Sequence, residues 1–176
     1  MKYASDTVQR RWTSPLGAID LAATPRGLSG LWFEDQKYRP TALDATGGWA
    51  RQNGRHPVLD RAEEQLAAYF ASRLDRFDVP LDLPAATEFQ QAVWAGLLQL
   101  PHGRTCSYGE LALATGNAHA VRAVGTAVGR NPVSILVPCH RVVGADGRLT
   151  GYAGGLPRKS ALLALEQAQH TLAGLA

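Results

Sequence analysis

The residue whose type and neighbours could do chemistry is Cys139, in the string Pro138-Cys139-His140-Arg141. A cysteine acts as a nucleophile only as its thiolate, which a nearby base or positive charge favours. His140 is a residue type that can serve as the base, and Arg141 is a fixed cation. Adjacent side chains often point apart, so spacing alone leaves the Cys-His contact open. The competing reading is a buried thiol that packs as a small hydrophobe. Pro138 and the apolar run Val133-Ser134-Ile135-Leu136-Val137 bracket the thiol and would hold it in a fixed place. The second cysteine, Cys106, lies two residues before Tyr108 and is read as structural. No pair of Cys or His falls at zinc-finger spacing, so no metal site is expected. The segment from Gly151 to Ser160 has Lys159-Ser160 preceded by Pro157-Arg158, which does not match a phosphate loop.

Several elements must position these groups. Ile19 to Ala23 and Leu28 to Phe33 flank the turn-rich Thr24-Pro25-Arg26-Gly27 and read as a hairpin. Residues 40–56 read as loop. A helix is expected from Pro57, with Leu59, Ala62, Leu66, Phe70 and Leu74 at helical spacing. A short linker with two prolines follows, and the domain boundary is placed between residues 83 and 84. Beyond it, Thr87-Glu88-Phe89-Gln90 and Ser107-Tyr108-Gly109-Glu110 are capping-box patterns that open helices. Gly116-Asn117 supplies a turn before a third helix, expected over residues 118–129 and built from small residues and valine. Two short helices about a Gly turn make a helix-turn-helix candidate. Pro157 starts a last helix carrying Leu162, Leu163, Leu165 and Glu166.

Composition bounds the class. Of 176 residues, 45% are hydrophobic and 19% charged, which suits a packed core. No apolar run approaches the ~20 residues of a membrane span, and the N-terminus lacks the apolar stretch of a secretory signal, so a cytoplasmic protein is expected. Net charge is +3, carried by the second part: residues 1–83 hold 11 Lys/Arg and 11 Asp/Glu, residues 84–176 hold 7 and 4. A basic excess in one part hints at an anionic partner, although a solvated surface accounts for it as well.

The string Pro138-Cys139-His140-Arg141-Val142 resembles the O6-alkylguanine-DNA alkyltransferase family. The likeness extends, in order and at matching spacing, through Phe89 to Trp94, Ser107 to Ala112, Ala120 to Gly125, Asn131-Pro132 and Gly151 to Gly155. It covers residues 85–168 strongly, and the first part only through its hairpin and long helix. It implies an α+β fold: a small N-terminal α/β domain resembling ribonuclease H, then a mostly helical, winged-helix-like domain with a helix-turn-helix. It implies direct-reversal repair, in which the alkyl group of O6-alkylguanine, or of O4-alkylthymine, moves irreversibly onto Cys139 in a single turnover. Within the stack the alkyl carbon is out of reach of in-line attack, so the guanine is flipped out.

By position, the resemblance makes Cys139 the acceptor, His140 its base through a water, Glu166 the residue that orients His140, and Tyr108 the donor to the leaving purine. Arg122 matches the finger that fills the gap left by the flipped base. Ala120, Val121, Ala123, Gly125 and Arg141 join it as DNA-binding residues. Asn131 matches a hinge, the Val137 and Cys139 carbonyls would read the base edge, and Pro138, Tyr152 and Ala153 would line the pocket. Ser134 and Thr150 stand where some relatives have Pro and Gly, and both shape the pocket. The expected partner is double-stranded DNA met from the minor groove by a monomer. No cofactor is expected, because the alkyl donor is the DNA.

Three rivals are weighed against this reading. A lesion-binding module would need an inert Cys139. A regulator of this family would carry a cysteine-rich N-terminal domain, whereas residues 1–83 contain no cysteine. A cysteine hydrolase would turn over and release a hydrolysed product.

Overall fold

The structure, a computed structural model, describes residues 1–44 and 48–173, with side chains to residue 169. Two compact units divide it, Met1–Ala85 and Ala86–Ala176.

In the first unit, β1 (Val8–Ser14), β2 (Gly17–Thr24), β3 (Gly27–Phe33) and β4 (Ala50–Arg51) form one sheet in the order β3-β2-β1-β4. The expected hairpin is β2-β3, antiparallel with Ile19 opposite Phe33. β1 was not apparent in the sequence. Its residues VQRRWTS carry two adjacent arginines on a ribbon that pairs antiparallel with β2 and parallel with β4. The stretch read as loop over 40–56 contains β4 and a turn of 3-10 helix at Thr41–Leu43, while residues 45–47 of it lie outside the described residues. Helix α1 (Pro57–Phe70) places Leu59, Ala62 and Leu66 in the core. It stops at Phe70, before Leu74, because the chain turns through Ser72 at φ 57. Every residue of β3 is buried, since Trp32, Ala22 and Leu43 form a further cluster with Tyr3 and Trp49.

The second unit is helical. The Thr87 and Ser107 capping boxes both form, opening α2 (Glu88–Leu98) and α3 (Tyr108–Ala114). Each satisfies two amides that a helix start leaves unpaired. Between them lies β5 (Cys106–Ser107). Helix α4 is Val121–Gly129, shorter than expected, because residues 118–120 form the turn before it. Helices α2, α3 and α4 pack together, and the Trp94 indole on α2 donates to the Ala127 carbonyl on α4 at 2.9 Å. A turn of 3-10 helix, Cys139–Arg141, runs into β6 (Val142–Val143), which pairs in parallel with β5. This two-stranded ribbon ties the start of α3, and hence Tyr108, to the segment bearing Cys139. Helix α5 (Leu156–Ala173) closes the unit. Among the described residues no helix is long and apolar enough to cross a membrane.

Candidate active site

The segment from Asn131 to Val143 is buried throughout, so its backbone groups need partners within the protein. Asn131 supplies several. Its Oδ1 accepts from the Val133 amide at 3.0 Å, and its Nδ2 reaches the Val137 carbonyl at 2.7 Å and the Cys139 thiol sulfur at 3.1 Å. One amide side chain thus shapes the loop and touches the thiol. The loop also passes through Ile135 at φ 71, a left-handed conformation uncommon for a β-branched residue. The Val137 carbonyl accepts from the Cys139 amide as well, at 2.8 Å. Both of its lone pairs are therefore used inside the loop, which removes it as a free reader of a base edge. Ser134 and Pro138 are buried in the same segment.

Cys139 is 5% exposed. Burial pushes its thiol up, and the Asn131 hydrogen bond, the charge of Lys159 and the backbone amides of Cys139 and His140 pull it partly back. His140 is fully buried and held below the usual imidazole range, by desolvation first, against the opposing pull of Glu166. Its Nε2 lies 2.7 Å from Glu166 Oε1. Burial alone would raise the Glu166 carboxyl, but the hydrogen bonds and charges of His140 and Arg141 hold it far below the carboxylate range. An ionised carboxylate only accepts, so Nε2 carries the proton and Nδ1 is the basic nitrogen. Nδ1 is buried and has no hydrogen-bond partner among the described residues.

Glu166 is the hub of this cluster. Besides His140 it accepts from Arg141 Nε at 2.8 Å, Arg141 Nη2 at 2.9 Å and the Gly103 amide at 3.2 Å. Arg141 also donates to the Leu100 carbonyl at 2.6 Å and is 7% exposed. The expectation that Arg141 meets DNA is therefore corrected: its guanidinium is turned inward and engaged by a buried carboxylate.

In the sequence Lys159 stands in a segment that does not match a phosphate loop, and no motif there marks it for the site. It is fully buried, with Nζ donating to the carbonyls of Val142 at 2.5 Å, Thr150 at 2.7 Å and Gly151 at 3.3 Å. Burial without a carboxylate partner lowers its pKa to about 8, and the sulfur of Cys139 opposes that fall. A signal for it existed. Lys159, Leu162, Leu163 and Glu166 fall at i, i+3, i+4 and i+7 and are all buried, so two charged residues sit in the apolar stripe of α5.

The remaining expected residues divide into two groups. Tyr108 is half-buried, and its hydroxyl lies 3.5 Å and 3.4 Å from the carbonyls of Thr150 and Gly151. Desolvation raises its pKa, which keeps it a phenol. Tyr152 and Ala153 are half-buried and Thr150 is exposed. Burial raises the Tyr152 hydroxyl well above its usual value, with the Ser134 side chain opposing the shift. On α4, Val121, Arg122 and Ala123 are exposed, while Val124, Ala127 and Val128 face the core. Ala120, the N-cap residue, is half-buried. The Arg122 guanidinium has no hydrogen bond or ion pair among the described residues. Gly125 faces the Tyr108 ring: a Cβ there would lie 3.6 Å from Cδ1, an ordinary contact, so Gly125 supports Tyr108 from behind.

A buried thiol beside a His-Glu pair, on a unit with a helix-turn-helix and a small ribbon, defines a thiol-nucleophile protein built on a nucleic-acid-binding scaffold. Comparison with known proteins makes this specific. Residues 9–83 match the model of the ribonuclease-like domain of 6-O-methylguanine DNA methyltransferase, and residues 88–168 match its DNA-binding domain. The methylated-DNA--protein-cysteine methyltransferase of Mycobacterium leprae is 49% identical over 160 residues, covering 91% of this chain and 92% of that protein. The protein of the same name from Mycolicibacterium paratuberculosis is also 49% identical, over 162 residues, covering 92% and 93%. The crystal structure of Mycobacterium tuberculosis OGT in complex with DNA superposes with a TM-score of 0.82 at 46% identity, covering 92% of this chain and 93% of that one. The chain belongs to the 6-O-methylguanine DNA methyltransferase family.

Proposed function

We propose that this protein repairs DNA by direct reversal, transferring the alkyl group of O6-alkylguanine, and of O4-alkylthymine, irreversibly to its own Cys139. The observation that carries the assignment to Cys139 is its setting: a buried thiol held at 3.1 Å by Asn131, next to a His140 whose Nε2 is 2.7 Å from an ionised Glu166.

The chemistry follows from the proton positions. Burial keeps the resting thiol protonated and His140 neutral. The thiol proton passes through a water to His140 Nδ1, and Glu166 stabilises the imidazolium that forms. The Asn131 amide, the Lys159 ammonium and two backbone amides support the developing thiolate. The sulfur attacks the alkyl carbon, the carbon–O6 bond breaks, and its electron pair returns to the purine. Tyr108 donates a hydrogen bond to the leaving guanine, which takes up a proton to balance the one lost by sulfur. The product is a thioether, so each molecule acts once, and the chemistry needs no cofactor.

The alkyl carbon becomes accessible when the damaged nucleotide is flipped into the pocket edged by Pro138, Thr150, Tyr152 and Ala153. The small exposed residues of α4 allow close approach to the DNA minor groove, and Arg122 fills the space left in the stack. We propose that it acts as a monomer in the cytoplasm, where cysteines stay reduced. The test is Cys139→Ala. The variant is expected to bind a duplex containing O6-methylguanine and to transfer nothing; residual transfer overturns the assignment.

A further inference from the structure

Apart from the thiol site, the first unit holds a pocket of about 240 Å³ between residues 2–4, the β2-β3 hairpin and residues 82–85. All of its lining residues belong to Met1–Ala85. Backbone hydrogen bonds fix its walls. The Leu28 amide donates to the Pro80 carbonyl at 2.8 Å, the Asp82 amide to the Leu28 carbonyl at 2.9 Å, and the Ala85 amide to the Lys2 carbonyl at 3.1 Å. The two chain segments approach so closely that glycine is required at Gly27, where a Cβ would lie 2.7 Å from the Pro80 carbonyl oxygen. One wall carries a β-bulge. Ala22 pairs with Gly30 and Ala23 with Leu28, so Ser29 is the extra residue of β3. A bulge re-aims a side chain, and Ser29 lines the pocket. Ser29 is 3% exposed, and its Oγ is buried with no hydrogen-bond partner among the described residues. A buried hydroxyl without a partner destabilises the fold that holds it and calls for a physical account.

The polar groups around Ser29 are mostly donors. Asp82 is the one carboxylate of the lining, and it is already engaged: Oδ2 accepts from Thr24 Oγ1 at 2.6 Å and from Arg26 Nη2 at 3.0 Å. The Thr24 hydroxyl first, then Arg26, holds the Asp82 carboxyl below the usual range, so it stays ionised and matched to Arg26. Arg26 Nη1 and the Lys2 ammonium have no hydrogen bond or ion pair among the described residues. Burial raises the Tyr3 hydroxyl, which keeps it a phenol and a donor, and its only contact is a long one of 3.9 Å to the Met1 sulfur. Two cations against one carboxylate leave a net positive charge. We propose that this pocket binds a phosphate group through Ser29 Oγ, Lys2 Nζ, Tyr3 Oη and Arg26 Nη1. The donors come from two separate segments of the chain and not from one planar fork, which suits a tetrahedral oxyanion better than a flat carboxylate. The Ser29 hydroxyl reaches the anion by rotation about χ1. The volume exceeds that of a bare phosphate and leaves room for the group esterified to it.

The test is titration of the full chain with inorganic phosphate at constant ionic strength, read by the backbone amide resonances of Ser29 and Asp82 and by the unfolding temperature. Saturable shifts at both amides and a raised unfolding temperature are expected, because a ligand that binds only the folded state stabilises it. Ser29→Ala removes an unpartnered hydroxyl, so it is expected to keep its unfolding temperature in phosphate-free buffer. It is expected to bind phosphate about tenfold more weakly, or weaker still, the loss of one hydrogen bond to a charged group. Lys2→Gln, an exposed position, is expected to weaken phosphate binding in the same direction. Both variants are expected to react with a free O6-alkylguanine base at the unaltered rate, which separates this pocket from the thiol site. A short undamaged duplex distinguishes the sources of the phosphate. A duplex that moves the same two resonances, and loses that effect in Ser29→Ala, identifies a DNA backbone phosphodiester; a duplex that leaves them fixed while phosphate moves them identifies a small phosphate ester. The absence of a saturable shift with phosphate, a response of equal strength to chloride or acetate, or unaltered phosphate affinity in both Ser29→Ala and Lys2→Gln overturns the proposal.

Discussion

Glu166→Gln is the substitution whose consequences can be worked furthest. The carboxylate accepts four hydrogen bonds, from His140, twice from Arg141 and from the Gly103 amide. An amide of the same shape can accept at one atom only, and its NH₂ must face one of the former donors. Breaking a buried ion pair from one side costs about 3–5 kcal/mol, because the other charge stays buried and uncompensated. Arg141 keeps its bond to the Leu100 carbonyl at 2.6 Å, and Gln keeps one acceptor, so the lower end applies: about 3 kcal/mol. That is a large share of a total stability of roughly 5–15 kcal/mol. The rate carries a separate loss. A positioned general base contributes about 10²- to 10⁴-fold, and an imidazole without its carboxylate loses most of that. The double variant Arg141→Met with Glu166→Met separates the two effects, since removing both members of a buried pair is far less costly than removing one. It is expected to recover about half of the lost stability, limited by the unpaired Leu100 carbonyl and Gly103 amide, and none of the rate. Urea unfolding and single-turnover transfer measure the two quantities. A stability loss under about 1 kcal/mol in Glu166→Gln would refute the buried pair, and a double variant that transfers at the unaltered rate would refute the relay.

Two further substitutions have defined outcomes. Arg122→Ala should slow repair of a lesion in duplex DNA more than reaction with a free O6-alkylguanine base, because the finger role proposed for Arg122 concerns only the stack; equal losses on both substrates would rule that role out. Lys159→Met should slow transfer at neutral pH roughly tenfold through loss of a positive charge near the thiolate. The folded Lys159 binds its proton with a pKa of about 8 against 10.5 for the free side chain. The unfolded chain therefore holds more protons between those values, and this group makes the fold more stable as pH rises through that window. Chemical denaturation of both proteins across the window should show a smaller rise for Lys159→Met; identical pH dependence would mean that Lys159 is not a desolvated ammonium.

What could be read in the sequence was local. The two capping boxes, the turn between β2 and β3 and the start of α1 rest on residues within four positions of one another, and the structure contains all of them. The Cys-His-Arg string marked the nucleophile for the same reason. The misreadings concern direction and distance. Arg141 looked like a surface cation because spacing cannot tell an inward guanidinium from an outward one, and its partner Glu166 is 25 residues away. β1 is not legible because most of its own residues are polar, and its pairing is with neighbouring strands and through ion pairs such as Arg11 with Asp20. Lys159 matches no local motif, although its place in the apolar stripe of α5 is legible from its spacing to Leu162, Leu163 and Glu166. The roles of Glu166 and Asn131 were suggested only by family resemblance, since no local pattern links residue 166 to residue 140.

The most direct measurement is the intact mass of the protein before and after mixing with a duplex containing one O6-methylguanine, followed by peptide mapping. One methyl group gained in place of a proton, located on Cys139, with guanine restored in the DNA and no second turnover, is the expected result. An unchanged mass with tight lesion binding, or a methyl group on any residue other than Cys139, would contradict the assignment of this thiol as the acceptor.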